Sequence, residues 1–428
     1  YTCGIGNIVA LPDKEDIVPF KICSFDIEAS SSHGDFPLPV KDYKKLATNM
    51  VDIFNEYDIE KMTDTDIETI IGNIINTAFN PETNNVIEGV ETIYPICRPA
   101  SLALQIKQVL KYRMCPDEAV IATEYVNTIE DAFNKHDDDE PKSFHKKQQS
   151  VGLSLVEIIK TPQKMLAREI QINSINYILS KNMPKIAGDK VTFIGSTFMR
   201  YGESEPYKNT CIALYTCDPV DSAEPIICCS GEKDVLLEWT KLIKREDPDI
   251  IIGYNIFGFD YKFMFERSKE LSCVEEFLKL SRKNNDNCDE DDLICGTFTE
   301  SGYKIEETSI VIASGQHDLH YIKMPGRIQI DLYNYFRRDY NLTSYKLDYV
   351  AGFFIGDGVK SISRPSPTTT KIKTKNMIGL NEGCWINFEE IGHSSEYYLE
   401  GKKFNVIDVD RANDEFTIEG VAAPNLET

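Results

Sequence analysis

Residues 18–29, VPFKICSFDIEA, form a short apolar run that ends in acids, the pattern of a central strand delivering polar groups at its end. From about residue 35 to residue 190 the pattern changes to long polar stretches rich in Asn and Glu. Tyr43 to Tyr57 and Met165 to Met183 are examples, and they predict an inserted, mostly helical subdomain. Alternation resumes at Val191 to Met199, with Asn209 to Thr216 and Ile226 to Cys229 as further strands, a meander expected to pair with the first strand. Ser230 is placed to cap a helix in which Val235, Leu236, Trp239, Leu242 and Ile243 share one apolar face.

After the turn at Asp247-Pro248-Asp249 a buried strand is expected at Ile250 to Ile252, then Gly253-Tyr254-Asn255 and a helix from about Phe259 to Leu280. Residues 283–305 read as a polar loop and Arg327 to Ala351 as helical. Pro365, with Ser363, Ser366 and three threonines, marks a linker. Cys384 to Val421 alternates around turn signals, which predicts a small β-rich subdomain. The class is α/β, divided as 1–34 (start of the core), 35–190 (helical insertion), 191–360 (rest of the core) and 361–428 (linker and β-rich subdomain).

Composition narrows this picture. The 428 residues include 46 Lys plus Arg and 69 Asp plus Glu, a net charge of −23, so the whole chain repels a polyanion. Part of that charge is local, in Asp137 to Glu140 and Asp286 to Asp292, while Arg337-Arg338 and Lys371 to Lys375 are basic. Twelve cysteines form no Cys-x-x-Cys pair, which argues against zinc and fits a reduced intracellular compartment. No signal peptide or membrane-length apolar run is visible, and a chain that opens on Tyr1 without Met reads as a fragment.

Candidate chemistry begins with Phe25-Asp26-Ile27-Glu28. A strand period of two sends both carboxylates to one face and both apolar side chains to the other. Two close carboxylates repel, and hard oxygen ligands suit Mg²⁺ or Mn²⁺, although an acidic strand end facing water is the plain alternative. The second element is Gly253-Tyr254-Asn255-Ile256-Phe257-Gly258-Phe259-Asp260, where the glycines allow a tight turn and Asp260 sits in a first helical turn. Asp64-Thr65-Asp66 reads as a solvated acidic face, and His317 and His320 as surface histidines in a loop.

FDIEA at Phe25 to Ala29, followed by PDIIIGYNIFGFD at Pro248 to Asp260, resembles the first and second exonuclease motifs of family B DNA polymerases. GRIQIDLYNYFRRDYNLTSYKLDYVAGFFIG, from Gly326 to Gly356, is similar to a segment of delta-type members, and the overall likeness is to polymerases of large double-stranded DNA viruses. The insertion carries little of this signal.

The resemblance implies an RNase H-like 3′→5′ exonuclease core, with Asp26, Glu28 and Asp260 as ligands of two Mg²⁺ or Mn²⁺ ions. Asn255 and Phe259 would lie beside a frayed single-stranded DNA 3′ end. It also implies a sliding clamp as partner of the longer protein and a replication compartment in a virus-infected cell. The family's third motif, Tyr-x-x-x-Asp, is expected beyond the segment around residues 345–356. Tyr335 to Asp339 precedes that place and reads as chance, and Tyr345 to Asp348 is one residue short. A Ser-Leu-Tyr-Pro polymerase string is absent. Two other readings stay open: a stand-alone RNase H-like exonuclease acting on RNA, and a catalytically silent DNA-binding or scaffold module.

Overall fold

Strand β1 (Lys21–Ser30) alternates as its sequence requires, with Cys23, Phe25 and Ile27 buried and Ser24, Asp26 and Glu28 facing outward. The computed structural model describes residues 5–7, 9, 19–32, 34–80, 87–115, 152–203, 205–218, 226–283, 293–312, 315–377, 379–391 and 395–425. Val18 and the acidic runs at 137–140 and 286–292 lie outside them.

Between β1 and the next strand, five described helices gather: α1 (Lys44–Asn55), α2 (Asp64–Phe79), α3 (Leu102–Lys111), α4 (Leu155–Lys160) and α5 (Arg168–Asn182). Met50, Phe54, Ile71, Ile74, Ile175 and Ile178 are buried in a hydrophobic cluster of their own, apart from the one that holds β1. Asp64-Thr65-Asp66 opens α2. There the Thr63 hydroxyl accepts from Asp66 N and the Asp66 carboxylate from Thr63 N, so the triplet is a solvated helix start.

The main sheet has six strands, in the order β10 (Ile328–Asp331), β5 (Ile250–Gly253), β1, β2 (Lys190–Arg200), β3 (Lys208–Leu214) and β4 (Ile227–Cys229). Strand β2 (Lys190–Arg200) runs antiparallel to β1, and β3 (Lys208–Leu214) antiparallel to β2. Strand β4 (Ile227–Cys229) does not continue the expected meander; it lies parallel to β3. The intervening connection is about a dozen residues, the length at which a parallel crossover becomes feasible and a tight hairpin is no longer forced.

Helix α6 (Glu232–Glu246) covers this sheet with Val235, Leu236, Trp239, Leu242 and Ile243, all buried. Trp239 packs on Phe25, ring centroids 4.9 Å apart. Gly231, not Ser230, is the N-cap, because the Ser230 hydroxyl turns to the Asp234 carboxylate. Strand β5 (Ile250–Gly253) follows, parallel to β1. The helix expected over Phe259 to Leu280 is broken: α7 (Asp260–Glu270) stops where Ser272 takes a φ of +54°, and a short α8 (Val274–Phe277) resumes.

Two hairpins occupy the region that follows. β6 (Thr297–Thr299) and β7 (Gly302–Lys304) form one within the expected loop, turned by Gly302 at φ +101°. β8 (Glu306–Ile312) and β9 (Gly315–Tyr321) form the other, and they place His317 and His320 on a strand instead of a loop. The stretch from Arg327 does not begin as helix. Ile328–Asp331 is β10, parallel to β5, and only after it come α9 (Leu332–Asp339) and α10 (Leu347–Ile355).

The expected linker is itself a hairpin of β11 (Ser361–Ser366) and β12 (Thr369–Lys373), since Ser and Thr side chains suit exposed strands as well as turns. The remaining strands are β13 (Trp385–Ile386), β14 (Glu389–Ile391), β15 (Ser395–Tyr397), β16 (Phe404–Asp410) and β17 (Glu415–Glu419). Five strands in the order β11-β12-β17-β16-β13 enclose a third cluster around Ile372, Phe404, Val406 and Ile418.

Candidate active site

The parallel pairing of β1 with β5 sets Ser24 opposite Ile252, so the chain after Gly253 leaves the sheet beside Asp26. Gly253 is required there: a Cβ on it would meet Ile256 Cγ2 at 2.4 Å and the Phe25 carbonyl at 3.0 Å. Asn255 turns the chain with a φ of +63°, and its carbonyl accepts from Gly258 N and Phe259 N, both at 2.9 Å. Its side chain folds over Gly258, whose hypothetical Cβ would lie 2.2 Å from Asn255 Oδ1.

This turn delivers Asp260 at the start of α7, 3% exposed, with Oδ1 accepting from Ile27 N on β1 at 3.3 Å. Burial, and then the Asp26 carboxylate beside it, push Asp260 up to about 8. Phe259 packs on Phe263 and meets Phe36, from the start of the insertion, edge to face at 5.6 Å.

Glu28 stands on the same outward face of β1 as Asp26. The β1–β2 register shifts between Glu28 and Ala29: Glu28 faces Phe193 and Ala29 faces Val191, which leaves Thr192 as the extra residue of a bulge. The Thr192 hydroxyl donates to the Glu28 carbonyl at 3.1 Å. Among the described residues no group of three or more His, Cys, Asp and Glu lies close enough to hold a metal ion. The acids brought together are Asp26 and Asp260, and Glu28 does not complete a cluster with them.

Asp331, at the end of β10, escaped the sequence reading. Its carboxylate accepts from Asn255 N at 2.8 Å, Phe257 N at 3.0 Å, Tyr333 N at 3.0 Å and Asn334 Nδ2 at 3.0 Å, fixing both the turn and the start of α9. Burial raises its pKa even against these donors. The one available signal was an Asp followed by Leu-Tyr-Asn at a strand-to-helix boundary. The Phe257 carbonyl accepts from His320 N at 2.7 Å, so β9 ties down the other side of the turn. Tyr335 lies on α9, and Asp339 pairs with its neighbour Arg338 at 2.8 Å.

A mixed sheet whose central strand brings one acid against another at the start of a following helix is the class this geometry defines. Residues 141–350 match the model described as DNA polymerase family B, exonuclease domain. Over residues 141–350, just under half of its length, the chain is therefore similar to the exonuclease domain of family B DNA polymerases. The matched span holds Asp260 and Asp331, while β1 precedes it.

The chain is 37% identical to a DNA polymerase of Phaeocystis pouchetii virus over 97% of its own length and 41% of the relative's. It is 29% identical to a DNA polymerase of Pyramimonas orientalis virus, over 94% of the chain and 30% of that protein. A DNA polymerase delta catalytic subunit of Oryza sativa subsp. japonica is 34% identical over 41% of the chain and 14% of the relative. The chain thus spans well under half the length of each of these relatives.

Proposed function

We propose that this chain is the 3′→5′ proofreading exonuclease region of a replicative DNA polymerase, hydrolysing the 3′-terminal phosphodiester of single-stranded DNA. The observation that carries the reading is the contact of Asp26 with buried Asp260, from motifs far apart in sequence. Antiparallel β1, β2 and β3, followed by β5 and β10 parallel to β1, support an RNase H-like core. The three hydrophobic clusters support a helical insertion and a β-rich C-terminal unit as separate domains.

The donor set fits a divalent cation: two carboxylates in contact, one buried and driven to hold a proton, is an arrangement that a hard cation relieves. Asp26 and Asp260 would hold Mg²⁺ or Mn²⁺, with Glu28 on the same face as the further oxygen donor. Bound there, such ions supply an activated water and screening of the phosphate charge. The chain's own part is to fix Asp260 through Ile27 N, to aim Glu28 through the bulge at Thr192, and to hold the Gly253–Gly258 turn on Asp331. Phe259 would offer a ring face to the terminal base.

In a longer protein containing this chain, Asp26→Ala should lower Mg²⁺-dependent release of nucleotides from DNA 3′ ends by about 100-fold or more, the scale of losing a metal-organising group. Trimming left intact by that substitution would refute the assignment.

A further inference from the structure

Cys217 and Cys228 hold their sulfurs 3.9 Å apart, and both residues are exposed. The pairing of β3 with β4 places them. Ala213 lies opposite Cys228 and Leu214 opposite Cys229. Past the end of β3, Tyr215 turns the chain at a φ of +67° while its N–H donates to the Cys229 carbonyl at 2.7 Å. That turn lays Cys217 beside Cys228, so the sheet's own hydrogen bonds keep the two thiols together.

The surroundings decide what such a pair can do. Two sulfurs are too few for a structural zinc, which takes four ligands, and among the described residues no group of three or more His, Cys, Asp and Glu could hold a metal ion. Cys23, Cys229, Cys273 and Cys295 are buried, whereas Cys217 and Cys228 are open to a reagent. A disulfide places its sulfurs about 2.05 Å apart, so closing the gap takes a shift of roughly 2 Å, and β4 is a three-residue strand at the edge of the sheet. Desolvation, and then the adjacent Cys228 thiol, raise the pKa of Cys217, so its thiolate forms more readily above neutral pH.

We propose that Cys217 and Cys228 are a reversible dithiol–disulfide site, oxidised by a small-molecule disulfide of the glutathione class. One cysteine thiolate attacks a sulfur of glutathione disulfide and expels a glutathione thiolate. The second cysteine thiolate then displaces the other glutathione. Two protein thiols are oxidised, one glutathione disulfide is reduced to two glutathione thiols, and the two cysteine protons pass to them. Exposed disulfides are the labile kind, which reduced glutathione in excess reopens. The link ties the chain leaving β3 to β4, just ahead of Gly231 and the buried Glu232 that start α6. None of this depends on Asp26 or Asp260.

The test uses the whole chain, reduced, freed of reductant and held with glutathione disulfide at mildly alkaline pH, then quenched in acid and alkylated. Cleavage before Asp221 separates the two cysteines, so mass spectrometry of the unreduced digest reads the link directly. Cys217 joined to Cys228 within one chain is expected, with both thiols restored by excess reduced glutathione. Cys217→Ser and Cys228→Ser should each abolish the link, and Cys211→Ser should keep it. Hydrogen–deuterium exchange at Tyr215 and β4 should slow by about 10-fold or more on oxidation, the direction expected when a short loop is closed. Thiols left free, glutathione retained on either residue, a link to another cysteine or to a second chain, or a link that reduced glutathione does not open would overturn the assignment. Unchanged exchange in the linked chain would overturn the fastening of β4.

Discussion

Asp331 has no part in the proposed chemistry and yet determines where that chemistry sits. One buried carboxylate satisfies two amides of the turn after β5 and two donors at the start of α9. Asp331→Ala would leave the half-buried amides of Asn255 and Phe257 without their acceptor, each costing up to roughly 1–3 kcal/mol when left unsatisfied. A loss of about 3 kcal/mol or more in urea unfolding is expected, and a loss under about 1 kcal/mol would show that water replaces the carboxylate. The alternation of Asp26 and Glu28 was legible because strand period alone decides it. The partnership of Asp26 with Asp260 was implied only by the resemblance of the two motif strings; no local period contains it, because it depends on β1 and β5 being parallel neighbours.

At the scale of elements, the insertion is anchored to the core by a buried ionic node. Arg267 on α7 donates to both oxygens of Glu232 on α6 at 2.8 Å, and also reaches the Pro39 carbonyl at 3.2 Å and Glu270 at 2.8 Å. Glu232 in turn accepts from Val191 N at 3.0 Å, beside the bulge opposite Ala29. Gly188 completes the seam, since a Cβ there would lie 1.9 Å from the Pro39 carbonyl.

Removing one partner of so buried a pair leaves a lone charge, so Arg267→Met is expected to cost about 3–5 kcal/mol. Arg267→Met with Glu232→Met together should cost less than the sum of the single changes in a double-mutant cycle of chemical denaturation, and strict additivity would contradict the coupling. None of this was readable from sequence, where Arg267 and Glu232 look like ordinary polar residues of amphipathic helices. The same blindness produced the errors at β4, β10 and the β11–β12 hairpin. Short segments take their state from the strand beside them, and local pattern does not contain that strand.

Across the whole molecule, the net charge of −23 and the local pairing of carboxylates pull in opposite directions with pH. Burial tends to raise Asp247 and Asp249, but hydrogen bonds outweigh it and hold both below the usual carboxylate range. Arg282 and Arg327 provide them for Asp247, and Lys21 N and Arg282 for Asp249. A depressed folded-state pKa contributes stability that is present above the unfolded value and is lost as pH falls through the folded one. Stability should therefore rise from neutral toward mildly acidic pH, as surface repulsion fades and the buried carboxyls of Asp260 and Asp331, both raised by burial, hold their protons in the folded state, then fall below about pH 4. Asp249→Asn should flatten that acid limb in thermal unfolding; an unchanged limb would remove the pair from the account.

Among the described residues no helix is long and apolar enough to cross a membrane. By itself the sequence determined the alternation that puts Asp26 and Glu28 on one face of β1, the amphipathic face of α6, the helical character of the insertion and the two motif strings. Each of these follows from a local period or a short spelling that the chain carries along its own length. Tertiary structure decided which strand directions bring Asp26 against Asp260, where the bulge at Thr192 falls beside Glu28 and where the insertion lays Phe36 against Phe259. Those outcomes depend on contacts between segments far apart in the chain, and pairing and packing set such contacts only once the sheet has formed.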